Sequence, residues 1–190
     1  MPEEIKISKI ILDGLDAVTG VLKDLGIDYA IMGGMALQVW GRIRVTKDID
    51  IVISITDEKK EELLSILRKP PFKIRNAFKK IGDAILIFST FEDKESGFPI
   101  NIDIFIAQTP FQKETLKRAL EIEVLGRRWK VIRVEDLILY KLLSARPIDR
   151  VDAAVLIKEN IKDIDKRYLR FWAKDLGIYG KLYNLLKQNA

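Results

Sequence analysis

Apolar side chains first recur at helical spacing. Ile7, Ile10, Ile11, Leu15, Val18 and Leu22 mark one face of a helix over about 7–25, with Gly26 as its C-cap. A short, partly β-branched run at 27–32 reads as a strand that stops at Gly33-Gly34. A short helix over 35–40, closed by Gly41, follows, then a strand over 48–53 whose start alternates polar and apolar residues. Residues 57–68 form an amphipathic helix with Leu63, Leu64 and Leu67 inward, halted by Pro70-Pro71. Further strands are predicted at 85–88 and 101–106, the second setting Asn, Asp and Phe against three isoleucines. A β pair at 121–125 and 129–132 turns at Gly126, and helices are predicted over 134–145, 148–158, 165–176 and 181–187.

That order, mixed strands and helices and then helices alone, argues for an α+β class: a mixed β-sheet flanked by helices, with a C-terminal helical segment. The division expected is a core over 1–133 and a helical segment over 134–190 packed on it as one unit. A chain of 190 residues buries enough surface for a core without staples. No apolar run reaches the roughly 18 residues of a membrane span, and the first residues lack signal-peptide order. A cytoplasmic location is therefore expected. The Ile-, Lys- and Glu-rich, Asn- and Gln-poor balance is of a kind common in thermophiles.

The sequence holds no cysteine and no histidine. Thiolate and imidazole chemistry are excluded, and with them Ser-His-Asp triads and the usual zinc sites. Catalysis would fall to carboxylates, lysine, hydroxyls, backbone amides or a hard metal held by oxygen. The formal charge of +5 permits a nucleic-acid or polyphosphate partner without demanding one.

Asp48-Ile49-Asp50 is the sharpest local feature. On a strand its carboxylates share one face, about 6–7 Å apart, while Ile49 and Ile51 face the core. Ile102-Asp103-Ile104 repeats the pattern with one acid. If the two strands are neighbours, three anions converge, raise one another's pKa values and invite a divalent cation such as Mg²⁺. Alternation of acids and apolar residues also occurs on plain solvated strands, but Asp is disfavoured in strands and two on one strand call for a reason. About fourteen residues upstream, Gly33-Gly34 ends a strand and enters a helix. Free backbone N–H groups there, without side chains in the way, suit a phosphate; a bare turn is the alternative. Arg42, Arg44, Thr46 and Lys47 lie between the two motifs and supply positive charge and a hydroxyl, or else a solvated loop.

Together, Gly-Gly-Met-Ala-Leu at 33–37, Arg-x-Thr-x-Asp-x-Asp at 44–50 and the later Asp103 resemble the nucleotidyltransferase superfamily related to DNA polymerase β. The wording is closest to the branch containing the AbiEii-type toxins and related small bacterial and archaeal proteins. The match covers roughly residues 27–106. Downstream, Lys141, Arg146 and Asp149 look like that branch's later motif, although Pro147-Ile148 stands where a lysine usually precedes the acid. Lys141 lies in an apolar run, so it either pairs with an acid or snorkels to solvent. Arg146 and Asp149 either flank a nucleotide or form a plain salt bridge.

The resemblance implies a nucleotidyltransferase-like fold and Mg²⁺-dependent transfer of a nucleoside monophosphate from an NTP to an acceptor hydroxyl, with pyrophosphate released. Asp48, Asp50 and Asp103 would be the catalytic acids and would bind two Mg²⁺ ions. Gly33, Gly34, Arg44, Thr46, Lys47, Lys141, Arg146 and Asp149 would bind the nucleotide. The acceptor stays open between tRNA or other RNA, a protein and a small molecule such as an antibiotic, with no membrane partner and the oligomeric state open. The chain carries less appended helix than a full toxin of that branch, which weakens a toxin–antitoxin role. A catalytically inactive nucleotide-binding or RNA-binding regulator on the same fold is the alternative, and a basic RNA-binding module a third reading. Trp129, Phe171 and Trp172 fall in apolar patterns and are expected in the core rather than free for base stacking.

Overall fold

The computed structural model describes residues 3–41, 46–82, 84–93, 95, 97–124 and 126–189. Two isoleucine-rich strands, β2 (Asp48–Ser54) and β5 (Pro99–Ile106), lie at the middle of its sheet, paired in parallel. Ile49, Ile51 and Ile53 stand opposite Ile102, Ile104 and Ile106, and all six are buried. α1 (Glu3–Asp24) packs on β2 and β5, and its Gly14 permits the approach. A Cβ at Gly14 would fall 3.1 Å from Ile49 Cδ1 and 3.2 Å from Phe91 Cδ1.

β1 (Asp28–Met32) lies antiparallel on the other side of β2, joined to it through α2 (Gly33–Val39). From β2 the chain passes through α3 (Asp57–Leu67), β3 (Phe72–Ile81) and β4 (Ala84–Glu92) before entering β5. After the helix α4 (Pro110–Arg118), β6 (Leu120–Val124) and β7 (Arg127–Val131) complete a sheet of order β3-β4-β5-β2-β1-β7-β6. Parallel and antiparallel pairs mix, as the α+β expectation requires.

The last helices are α5 (Val134–Leu143), α6 (Pro147–Asn160), α7 (Lys166–Asp175) and α8 (Tyr179–Gln188). α5 is buried nearly all round, which explains its weak amphipathic pattern. Its two acids are given partners. Glu135 takes Arg118 of α4 at 3.3 Å and the backbone N–H of Asp165, which caps α7. Asp136 accepts the Tyr168 hydroxyl at 2.5 Å. The Asn160 amide donates to the Trp40 carbonyl, and the Trp40 indole to that of Ile132. These bonds tie α6 to the end of α2 and to β7.

Two elements depart from the sequence reading. β3 is a strand where none is expected, because its charges break the alternation and its pairing with β4 shifts register twice, between Ile74 and Asn76 and between Asn76 and Lys79. α4 was hidden by its polar composition, although Thr109-Pro110 followed by Gln112 forms a capping box at its start. The expectation that Phe171 sits in the core is corrected: it is 65% exposed on α7, edge-on to the half-buried Trp172. Trp129 is buried as expected. No helix among the described residues is long and apolar enough to cross a membrane.

Candidate active site

The parallel pairing of β2 and β5 sets Asp50 directly opposite Asp103 and Asp48 opposite Asn101. Paired residues share a face of the sheet. The isoleucines take one face, so the three carboxylates take the other, where they line a cleft of about 630 Å³ between the sheet and α4, α5 and α6. β1 closes the arrangement: Met32 pairs with Asp50, which puts Gly33 and Gly34 immediately beside that carboxylate.

Both glycines line the cleft, and both are sterically required. Gly33 has φ +61°, and a Cβ there would lie 1.9 Å from Asp50 Oδ2. A Cβ on Gly34 would lie 2.5 Å from Thr46 Oγ1. The room left by the missing side chains is thus taken by Asp50 and Thr46. The backbone N–H of Gly34 is directed at the Asp50 carboxylate.

Two of the acids have side-chain partners. Asp48 accepts the Asn101 amide at 2.8 Å, and Arg75 reaches Asp103 at 3.3 Å from the edge strand β3. Asp50 is left with like charges on either side. Burial, then Asp103, then Asp48 push its carboxyl up to about 6, against the pull of Gly34 N–H and Lys141. Burial also raises Asp103, with Arg75 opposing and Asp48 adding to the rise. Among the described residues no three carboxylates are arranged around a common point as a ready-made metal cage. The donor set is nonetheless all oxygen and carries unbalanced negative charge at Asp50, which suits a hard divalent cation.

The helical side of the cleft carries the cations. Lys141 is buried, bonded to Asp149 at 2.6 Å and to Asp152 at 3.1 Å, so it pairs rather than snorkels. Asp149 is fully buried and also takes the Ser144 hydroxyl at 2.6 Å and Arg146 Nε at 2.5 Å. Burial alone would raise its carboxyl, but the bonds from Lys141, Ser144 and Arg146 outweigh that and hold it at about 2. One carboxylate thereby fixes two cations at the cleft wall.

Of the residues expected at the site, Asp48, Asp50, Asp103, Gly33, Gly34, Thr46, Lys141, Arg146 and Asp149 all line this cleft. Lys47 is exposed and is not among its lining residues. Arg44, and Arg42 with it, lie outside the described residues. Arg75 and Asn101 were missed. Asn101 had a signal, since Asn101-x-Asp103 copies the spacing of Asp48-x-Asp50; Arg75 had none, because its strand was not legible.

Residues 11–175 match the family described as nucleotidyl transferase of unknown function (DUF2204). The chain belongs to that family. No curated protein matches it. Among solved structures, this DUF2204 member is similar to an antigenic nucleotidyltransferase-like protein from Paracoccidioides brasiliensis, at 18% identity over 91% of this chain and 85% of that chain, with a TM-score of 0.63. It is also similar to ANT(2″)-Ia in complex with adenylyl-2″-tobramycin, at 13% identity over 91% and 97% of the two chains and a TM-score of 0.53. The lincomycin-bound lincosamide adenylyltransferase LnuA gives 18% identity, 75% and 93% coverage, and a TM-score of 0.51. These likenesses establish the nucleotidyltransferase fold. The family match upholds the superfamily named from the motifs, and the AbiEii-type branch is not confirmed.

Proposed function

We propose that the protein is a divalent-metal-dependent nucleotidyltransferase that moves a nucleoside monophosphate from an NTP to an acceptor hydroxyl. The observation that carries this reading is the registered pairing of Asp50 with Asp103, with Asp48 beside them, facing a cleft walled by Gly33, Gly34 and Lys141. The acceptor oxygen bonds to the α-phosphorus while the bond from that phosphorus to the β-phosphate bridge breaks, and pyrophosphate leaves with the bridging oxygen. Asp103, at the strand farther from the glycines, receives the hydroxyl proton or orients the hydroxyl. Asp48 and Asp50, with Asp103, would hold Mg²⁺. Two such ions, when bound, stabilise attacking and leaving oxygens. The Gly33–Gly34 backbone and the Thr46 hydroxyl face the triphosphate, and Lys141 and Arg146, fixed by Asp149, offset its charge. Such transfer depends on positioning and electrostatics, which a chain without His or Cys supplies. An NTP donor supports the expectation of a cytoplasmic location.

The test combines purified protein, MgCl₂, α-labelled NTPs and either total RNA or cell lysate. Label should pass to an acceptor, and Asp48→Ala and Asp50→Ala should each abolish transfer while circular dichroism reports an intact fold. Undiminished labelling in both variants refutes the assignment. The Arg75–Asp103 pair favours one other reading, a nucleotide-binding regulator in which an arginine already neutralises the third acid. That reading predicts Mg²⁺-dependent NTP binding with no product.

A further inference from the structure

The acid-bearing face of the sheet continues past β5 to its edge, and the edge strand carries charge of one sign. β3 holds Lys73, Arg75, Lys79 and Lys80 and no acid. Its pairing sets two of these cations, Lys73 and Lys79, in rows that run to the acid-bearing face, while Lys80 leads through Ile85 to Ile106 on the other face. Lys73 stands opposite Thr90, Thr90 opposite Asn101, and Asn101 opposite Asp48. Asn76 leads in the same way through Phe88 to Asp103 and Asp50, and Lys79 leads through Leu86 to Phe105. Neighbours in a row share a face, so Lys73 and Lys79 stand on the side of the carboxylates. Three contacts agree with that placement. Arg75, at the first register shift, reaches Asp103, and its guanidinium lies 5.7 Å from the centre of the Phe88 ring, which Lys79 Nζ approaches to 5.8 Å. From β3 to β2 is three strand spacings, about 14 Å.

The catalytic acids thus lie between two groups that carry cations, of which the helical one is balanced by Asp149 and Asp152 and the β3 one holds no acid. Lys141 and Arg146 on the helical side are assigned above to the triphosphate; the β3 group has no such role. Charges on an edge strand also prevent pairing with another sheet. Acids serve that purpose equally well, and the opposite edge strand uses them, since β6 carries Glu121 and Glu123 and no cation. The single sign of β3 therefore needs a second reason, and proximity to the acceptor side of the acids supplies it.

We propose that β3 is the acceptor platform and that the acceptor is a single nucleic-acid strand, its phosphates on Lys73, Arg75 and Lys79 and its terminal hydroxyl at Asp103. This inference rests on the nucleotidyltransferase reading and names its acceptor. The strand's 3′ oxygen bonds to the α-phosphorus of the NTP as the bond to pyrophosphate breaks. The strand gains one nucleoside monophosphate, and the hydroxyl proton passes to Asp103 and on to water. Arg75 exchanges Asp103 for a strand phosphate as the acceptor arrives. A polyamine acceptor would be repelled by the same surface.

The experiment separates acceptor binding from donor binding. Fluorescence anisotropy would follow labelled 20-nucleotide RNA and DNA strands across a NaCl series, and, separately, a fluorescent non-hydrolysable NTP analogue with Mg²⁺. Replacing Lys73 and Lys79 together by Glu should weaken strand binding about tenfold and flatten its log–log salt slope by about 1.4, two contacts at roughly 0.7 each. NTP-analogue binding should be unchanged. The same charge change on α7, Lys166→Glu with Arg170→Glu, should leave strand binding near that of the unaltered protein. Extension of a 3′-hydroxyl strand but not of a 3′-blocked one, by RNA or by DNA, completes the expected result and shows which sugar is used. Equal weakening by the α7 pair, no strand binding at all, or label passing to protein instead of strand overturns the platform. Loss of Mg²⁺-dependent analogue binding in the unaltered protein would instead count against the nucleotidyltransferase reading itself.

Discussion

Asp50→Asn offers a direct test of the site's electrostatics, because the charge it removes costs the free protein stability. The Asp50 carboxyl is held at about 6 against an ordinary 3.8, through burial and two neighbouring acids. A folded-state pKa raised in this way destabilises the fold as pH climbs from about 4 through 6, where the unfolded chain ionises freely and the native site resists. At 1.36 kcal/mol per pH unit the penalty above pH 7 is about 3 kcal/mol at most. Asn has nearly the same shape and its carbonyl can keep the bond from Gly34 N–H, so the variant should be the more stable protein at pH 8 in EDTA. For a chain of this size that ceiling corresponds to a rise in Tm of roughly 6–12 °C. Thermal melts of both proteins from pH 3 to 8 would measure it. The two curves should converge near pH 3 and separate between pH 4 and 6, and adding Mg²⁺ at pH 8 should raise the unaltered protein far more than Asp50→Asn. A variant that melts lower than the unaltered protein at pH 8, or a gap that does not change with pH, would refute the reasoning.

Other substitutions probe the remaining contacts. Gly33→Ala places a methyl into the Asp50 carboxylate at a left-handed φ of +61°, so NTP binding should be lost and stability should fall by about 2 kcal/mol or more, read by titration and urea melts. Lys141→Met leaves Asp149 and Asp152 buried without their shared cation and should cost about 3–5 kcal/mol, with much of the loss recovered when Asp149→Asn is added. Tyr168→Phe removes the hydroxyl donated to buried Asp136, whose carboxyl burial already lifts to about 6. The raised pKa means stability is lost as pH rises through that value, so the variant's deficit should grow above pH 6 to about 1–3 kcal/mol in pH-dependent melts.

The centre of this fold was legible because one period of two served both core and site. In β2 and β5 the isoleucines had to share a face to be buried, and that requirement left Asp48, Asp50 and Asp103 together on the other. The period could not supply register: that Asp50 meets Asp103, rather than a residue further along, depends on the chain's return through α3, β3 and β4. Nor could it show that Asp50 fills the space beside Gly33, since Met32 pairs with Asp50 only once β1 and β2 have met antiparallel. Lys141 was legible in part. Its place in an apolar run demanded either a partner or an escape, and only the packing of α6 on α5 settled that Asp149 and Asp152 are the partners.

β3 failed the same reading for a reason that bears on function. A strand shows itself by alternation when one face is buried, and β3 at the sheet edge buries little of either face beyond Phe72. Its register shifts then break what alternation remains, and the first of them carries Arg75, the side chain that reaches across β4 to Asp103. Bulges concentrate at edges and beside active sites because they re-aim a side chain at the expense of a regular ladder. The irregularity that hid the strand is thus the one that delivers a cation to the third acid. Deleting Arg75, the extra residue of the first shift, should keep the sheet and the second shift while removing the guanidinium. Strand binding would then weaken as it does on losing a phosphate contact, with NTP-analogue binding retained; unchanged strand binding would mean that Arg75 serves Asp103 alone.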